Sequence, residues 1–326
     1  MNDRRSIAIL GAGNMGTALA QVLARNGARV VLWDHFRDVV EEINRAHSNA
    51  RYLPGMQLHA NISAAATVLE SVRNARLIVL ATPSPFIQAT VDQALPGCAA
   101  DAVFLSVAKG IDPASREPIH RRLATQLGAR PLVFLAGPAI ANEFSRGLPA
   151  AIVLAAQPVA VAESLRPVFE GDVFRVTTTA DVTGAALGGI LKNIYAILLG
   201  YVAAAAGAAR NLEAAVLNAS LREMATLGRA LGAERETIYG LAGLGDLVAT
   251  GFSDDSHNRR YGQKLGAGKS PTDIRRETPL LPEGARTVDV ACAWADATGT
   301  PVPLARFVHR AVAGERPPVA DLVQQL

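Results

Sequence analysis

Short runs rich in Val, Ile and Leu punctuate the first half of the chain, at Ser6–Leu10, Arg29–Trp33, Leu77–Ala81, Ala102–Val107 and Leu132–Leu135. Continuous apolar runs of this length predict strands covered on both faces. Between them, Thr17–Arg25, Asp38–Ala46 and Arg116–Gln126 carry apolar residues three and four apart, the spacing of a helix with one buried face. Two further runs, near Ala151–Ala155 and Phe174–Thr178, extend the set of strands. Strand–helix alternation of this kind predicts an α/β fold with a doubly wound parallel sheet. After about Asp181 the strand-like runs disappear, and Ala, Leu and Gly dominate long helical patterns to Leu326. The expected organisation is therefore a domain over 1–181 and an all-α C-terminal domain over 182–326. Gly266–Pro271 and Pro279–Gly284 read as loops between helices.

One apolar stretch is long enough to raise a membrane. Asn193–Ala209 holds seventeen residues without a charge. A spanning helix needs about 20 strongly apolar residues, and this one is rich in Ala and Gly, with Asn193 inside and Lys192 and Arg210 at its ends. A packed core helix is expected, with no integral membrane segment. The N-terminal Arg4 and Arg5 precede an apolar run too short for a signal peptide, which reads as a first strand.

Composition narrows the class. The 326 residues are 50% hydrophobic and 19% charged, with a net charge of +3, the opposite of a disordered chain. The sequence pI near 9.1 comes from a small excess of 32 basic over 29 acidic residues, without a long basic run, so no nucleic-acid partner is implied. Cys98 and Cys292 are isolated, which fits a reducing, cytoplasmic compartment and offers no metal cluster.

Gly11-Ala12-Gly13-Asn14-Met15-Gly16 follows the first strand and opens the helix from Thr17. Gly11 permits a tight turn, Gly13 lets backbone approach a pyrophosphate, and Gly16 lets helix and strand pack closely. The helix N-terminus then presents amides to the phosphates. The second strand ends at Asp34, 21 residues after Gly13, where a carboxylate accepts hydrogen bonds from a ribose. These features mark a Rossmann-type dinucleotide site. A flavin leaves the helical half unexplained, so a nicotinamide dinucleotide is favoured. Asp34 repels a 2′-phosphate and favours NAD over NADP, while His35 and Arg37 soften that preference.

Three polar residues interrupt apolar surroundings. Lys109 follows a strand, at the carboxyl end of the sheet where such folds bind ligands. Lys192 lies inside Val182–Leu199, where a cation needs a partner or a task. Asp246 sits in the glycine-rich Leu241–Asp246, with Thr250 four residues on and on the same face of a helix. A nicotinamide dehydrogenase acting on an alcohol needs a group to take the hydroxyl proton as hydride leaves. Lys192 is the candidate, a lysine whose pKa burial lowers, with Lys109 as a second donor and Asp246 as a positioning acid. Gly266-Ala267-Gly268-Lys269-Ser270 imitates the tail of a P-loop, but Gln263 replaces its first glycine and no strand precedes it.

Together Gly11–Ala20, Tyr52-Leu53-Pro54-Gly55, Ala108-Lys109-Gly110, Gly137-Pro138, Lys192-Asn193, Gly243–Asp246, Asn258-Arg259-Arg260 and Glu283-Gly284 resemble bacterial-type NAD(P)-dependent glycerol-3-phosphate dehydrogenase over nearly the whole length. The resemblance implies interconversion of sn-glycerol 3-phosphate and dihydroxyacetone phosphate by a cytoplasmic enzyme, often a homodimer. It implies Lys192 as proton acceptor and Lys109 near substrate and nicotinamide. Gly137, Ala139, Asn193, Asp246, Thr250, Ser256, His257 and Asn258 fall at substrate positions. Asn14, Met15, His35, Lys109, Ala141, His257, Leu281 and Glu283 fall at cofactor positions, beside Gly11, Gly13, Gly16 and Asp34.

Two positions depart from the family. Ser or Thr is usual where this chain has Ala139, and Arg, a phosphate grip, is usual where it has His257. An imidazole is about half charged near pH 6.5, while a guanidinium is a permanent planar fork. The same hydride chemistry on a related small anionic hydroxy or keto substrate is thus the second expectation. A third is a dinucleotide sensor without catalysis, against which Lys109, Lys192 and Asp246 argue.

Overall fold

The computed structural model describes residues 6–207, 209–278 and 281–326, so Arg4, Arg5 and part of the expected loop Pro279–Gly284 lie outside the described residues. The chain divides into two compact units after Val182.

The first unit opens with β1 (Ser6–Leu10), α1 (Asn14–Arg25), β2 (Arg29–Trp33), α2 (Arg37–Ala46), β3 (Ile62–Ala65) and α3 (Val68–Val72). It continues through β4 (Leu77–Leu80), α4 (Ile87–Ala94), β5 (Val103–Ser106), α5 (Ile119–Leu127) and β6 (Leu132–Ala136). Last come α6 (Ala141–Phe144), β7 (Ala150–Ala156), α7 (Val159–Phe169) and β8 (Phe174–Thr179). The eight strands lie in the order β3-β2-β1-β4-β5-β6-β7-β8. Central β1 pairs in parallel with β2 and β4, Ile7 standing beside Val30 and Leu77. Alternate residues of β1 serve opposite layers. Ile7 and Ile9 pack with Leu19, Leu23 and Leu32, while Ala8 and Leu10 pack with Ile78, Leu80 and Phe104. Burial on both faces is why these strands read as unbroken apolar runs.

Three features differ from the expectation. β3, an edge strand on β2, was not anticipated. Its sequence Ile62-Ser63-Ala64-Ala65 buries only Ile62, so it has no apolar run to show. β7 runs antiparallel to β6, which makes the sheet mostly rather than wholly parallel. An apolar run carries no sign of direction. Finally, α5 starts at Ile119 rather than near Arg116, because Arg116 has φ 57° and Pro118 takes the capping position before the first turn.

The second unit follows as α8 (Val182–Ala205), α9 (Arg210–Ala230), α10 (Arg235–Tyr239), a π-helical turn over Leu241–Gly245, and α11 (Asp246–Gly251). After these come α12 (His257–Gly266), α13 (Pro271–Glu277), α14 (Glu283–Thr298), α15 (Pro303–Val312) and α16 (Val319–Val323). No strand occurs among its described residues. α8 is long and apolar enough to cross a membrane by composition, but 89% of its most apolar window is buried within the protein. Lys192 lies in its interior rather than at an end. Glycines bring backbones together on α8. A Cβ on Gly262 would stand 1.9 Å from Ile197 O, one on Gly200 2.1 Å from Arg259 O, and one on Gly266 2.3 Å from Tyr201 O. α8 and α12 therefore cross in backbone contact. Ser270 caps α13 by accepting from Asp273 N, which gives the P-loop-like segment a structural role.

Candidate active site

In the first unit the expected residues gather at the carboxyl ends of β1, β2, β5 and β6. The glycine turn fits its assigned tasks. Gly11 has φ +112°, and a Cβ there would stand 2.7 Å from the Ala81 carbonyl carbon. A Cβ on Gly16 would strike Gly11 O at 1.9 Å, whereas nothing lies within 4 Å of one on Gly13. Gly13 is the N-cap of α1, with no side-chain cap and no acid in the first turn, so the amides of Asn14 and Met15 stay available to an anion. These residues fit a dinucleotide pyrophosphate.

Neighbouring groups hold the turn in place. Asp34, 9% exposed, accepts from Ala12 N at 3.0 Å with one oxygen and from Phe36 N at 3.0 Å with the other. A carboxylate has about four acceptor positions, so two remain for ribose hydroxyls. His35 is exposed beside it. Asn14 Nδ2 donates to Tyr52 O at 2.8 Å and to Asn142 Oδ1 at 2.9 Å, which ties the Tyr52–Gly55 segment and the start of α6 to α1. Burial pushes the Tyr52 phenol up, and the charge of Asp34 adds to this. Buried Asn49 donates to Ala12 O at 2.8 Å and Thr17 Oγ1 at 2.9 Å. Asn49 was not singled out from the sequence, and no spacing marks it. Thr82 was also missed. Its hydroxyl is buried without a hydrogen-bond partner among the described residues, and its backbone abuts Gly11. Half-buried Lys109 follows β5, and Gly110 packs on the Ser84 side chain. Gly137, with φ +98°, ends β6, and half-buried Ala139 and buried Ala141 lead into α6.

In the second unit the structure joins residues far apart in sequence. Lys192 Nζ, on α8, donates to Asp246 Oδ1 and, at 2.6 Å, to Thr250 Oγ1, both on α11. The side chains of Lys192 and Asp246 are 9% and 3% exposed. Thr250 also reaches Asp246 Oδ1 at 3.4 Å, one helical turn on, as the spacing implied. A buried ammonium needs a counter-charge, and Asp246 supplies it. Lys192 thus has the partner that its apolar setting requires. Burial and the carboxylate act on its proton in opposite directions. Asp246 is positioned by the π-helical turn, where Gly243 lies against Ile238 O and Gly188 of α8 against Ala242 O.

Beside this pair runs an amide chain. Asn258 Nδ2 donates to Asn193 Oδ1 at 3.0 Å, Asn193 Nδ2 to Glu283 Oε2 at 3.1 Å, and Gly284 N to Asn258 Oδ1 at 2.9 Å. Three expected positions thus form one network with the backbone of Gly284, although 65 residues separate its two asparagines. Ser256 caps α12 by accepting from Arg259 N at 3.2 Å. His257 is exposed, and its Nδ1 lies 3.3 Å from Arg260 Nη2. Arg259 is buried and donates to Gly251 O, so it is committed to the fold. Half-buried Leu281 precedes α14 and, with His257 and Arg260, lines a cavity of about 330 Å³. No cluster of metal-ligating side chains occurs among the described residues.

Comparison with known proteins decides what these two groups belong to. Residues 6–162 match the N-terminal model of NAD-dependent glycerol-3-phosphate dehydrogenase, and residues 181–323 match its C-terminal model. The chain belongs to the NAD-dependent glycerol-3-phosphate dehydrogenase family. It is 38% identical to glycerol-3-phosphate dehydrogenase [NAD(P)+] of Xanthomonas euvesicatoria over 98% of this chain and 94% of that one. It is 39% identical to glycerol-3-phosphate dehydrogenase [NAD(P)+] 1 of Sphingopyxis alaskensis, over 100% of this chain and 97% of that one. The crystal structure of glycerol-3-phosphate dehydrogenase from Coxiella burnetii superimposes with a TM-score of 0.87 at 34% identity, covering 95% of each chain. The N-terminal match lies within the sheet unit, and the C-terminal match covers nearly all of the helical unit.

Proposed function

We propose that the protein interconverts sn-glycerol 3-phosphate and dihydroxyacetone phosphate with NAD(P), and that Lys192 carries the proton. The observation that supports this most is a buried lysine held by an acid and a hydroxyl inside an otherwise apolar helix. The glycine turn and Asp34 would hold the dinucleotide. When bound, the nicotinamide supplies or accepts the hydride. In reduction, Lys192 Nζ gives a proton to the oxygen that was the carbonyl, and Asp246 and Thr250 aim the amine. In oxidation, neutral Lys192 takes the hydroxyl proton. Asn193 and Asn258 orient the substrate by amide hydrogen bonds, and Lys109 is a second cation for it. NAD is the better coenzyme in this reading because Asp34 repels a 2′-phosphate. A cytoplasmic homodimer completes it, carried by the family resemblance and by the free thiols of Cys98 and Cys292.

A second reading keeps the chemistry and changes the anion. Ala139 and His257 favour it, since neither provides the fixed donor usual in the family. Oxidation of NADH against a panel of keto-phosphates and keto-acids separates the two. Dihydroxyacetone phosphate is expected to be the best substrate, and Lys192→Ala to lower kcat at least about a hundredfold. A keto-acid preferred over dihydroxyacetone phosphate establishes the second reading, and near-normal turnover in Lys192→Ala removes the role given to Lys192.

A further inference from the structure

α9 and α10 border a cavity of about 430 Å³ that has no part in the chemistry above. Its charged lining is Arg222, Arg229 and Arg235, without a carboxylate. Arg222 and Arg229 are two turns apart on one face of α9, and the hydroxyl-bearing Thr226 stands between them. Arg235 lies with its guanidinium 5.0 Å from the centroid of the Tyr239 ring. All three are exposed, and none forms an ion pair among the described residues, whereas Arg210, Arg306 and Arg310 of the same unit each do. Three guanidiniums around one concavity repel one another and focus a positive potential that an anion relieves. Their planar forks match phosphoryl oxygens. The volume suits a small molecule. Glu234 and Glu236, exposed beside Arg235, oppose a long polyanion lying across the rim.

We propose that this cavity binds a small phosphate-rich anion and that its occupancy is felt at Asp246. Tyr239 ends α10, and Gly240 leads into the π-helical turn that ends on Asp246. Close backbone contacts bind the path together. A Cβ on Gly243 would stand 2.1 Å from Ile238 O, and one on Gly188 2.5 Å from Ala242 O. Packing this tight passes a displacement of α10 to its neighbours rather than absorbing it. π-helical turns of this kind are frequent at functional positions.

Inorganic pyrophosphate is the probe, titrated by calorimetry into the full-length protein at saturating NADH, so that the glycine turn is already filled. The comparison is with Arg222→Ala/Arg229→Ala/Arg235→Ala, whose three exposed side chains leave the core intact. Pyrophosphate is expected to bind the native chain, and the triple variant at least about tenfold more weakly, as befits lost charge-assisted hydrogen bonds. It should also change kcat for dihydroxyacetone phosphate in the native chain only, with the unliganded kcat of the variant within about twofold of native. Equal affinity in both proteins, or no heat in either, overturns the site. Binding that leaves kcat unmoved overturns the link to Asp246. The calorimetric arm needs no turnover, so it decides the site even if the dehydrogenase reading fails.

Discussion

Lys192 and Asp246 form a buried ion pair, and such pairs respond asymmetrically to substitution. Removing one member leaves the other as an uncompensated buried charge, which costs about 3–5 kcal/mol, whereas replacing both with apolar residues is often neutral. Lys192→Met should therefore lose both turnover and stability. Lys192→Met/Asp246→Leu should regain most of the stability and none of the turnover. Denaturant melts beside kcat separate the two effects, and a Lys192→Met chain as stable as native would show that Asp246 is not held as a charge. Asp34 makes a second test. Its carboxylate braces Ala12 and Phe36 amides, so Asp34→Gly should shift the ratio of kcat/KM values toward NADPH while weakening the turn itself. Preference of the native chain for NADPH would refute the selectivity assigned to it. Lys192 and Asp246 stand out in the sequence because each interrupts an apolar or glycine-rich context, and Asp34 because it ends the second strand 21 residues after Gly13. Asn49 and Thr82 were not, because a buried amide or hydroxyl looks like any surface polar residue until its neighbours are known.

The helices show where periodicity stops being informative. Glu223 lies on α9 yet is 7% exposed, against the expectation that a helical carboxylate faces water. It accepts from Leu304 N at 2.9 Å, from Ala305 N at 2.8 Å and from Tyr195 OH at 2.9 Å. One carboxylate thus caps α15 and joins it to α8 and α9. Burial pushes its carboxyl up, opposed by those three donors. Glu223→Ala strands all three, and at about 1–3 kcal/mol for each buried unsatisfied group the loss should reach several kcal/mol. Thermal denaturation reads it directly, and a drop of less than about 1 kcal/mol would mean that water replaces the cap. Glu223→Gln keeps one acceptor and should fall between the two. The parallel strands were legible because burial on both faces writes an apolar run. Edge strand β3 and the reversal at β7 were not, since neither short length nor direction leaves a hydrophobic signature.

At the level of the entire protein, acid sensitivity follows from a few titrating groups. His120, on α5, packs edge-on to Phe134 with its ring centroid 6.3 Å away, and burial pushes its pKa down to about 4. Asp181 opposes that shift, and Arg121 adds to it. Between about pH 6.5 and 4 the unfolded chain binds a proton that the native chain refuses, so stability is full above that window and falls as pH drops through it. At 1.36 kcal/mol per pKa unit, the loss from pH 7 to pH 5 is about 2 kcal/mol. Glu223, shifted upward, acts oppositely and favours the native state as pH falls. His120→Leu should flatten the fall between pH 7 and 5. An unchanged slope in urea melts at the two pH values would assign the sensitivity elsewhere. The division into a sheet unit and a helical unit was legible because the short unbroken apolar runs stop near Asp181. Which side chains meet within each unit was not, since the meeting of Asn193, Asn258 and Glu283 depends on how α8, α12 and α14 cross.

The crossing of α8 and α12 carries a consequence for sequence change itself. At Gly200, Gly262 and Gly266 the obstacle is a carbonyl oxygen of the opposing backbone, not a side chain that a second change could shorten. Overpacking typically costs about 1–3 kcal/mol where neighbours can move, and here they cannot without separating two helices. Saturation mutagenesis scored for folded protein, with activity ignored, should leave these three columns empty except for glycine. No second-site suppressor should emerge on the facing helix, because no side chain there is at fault.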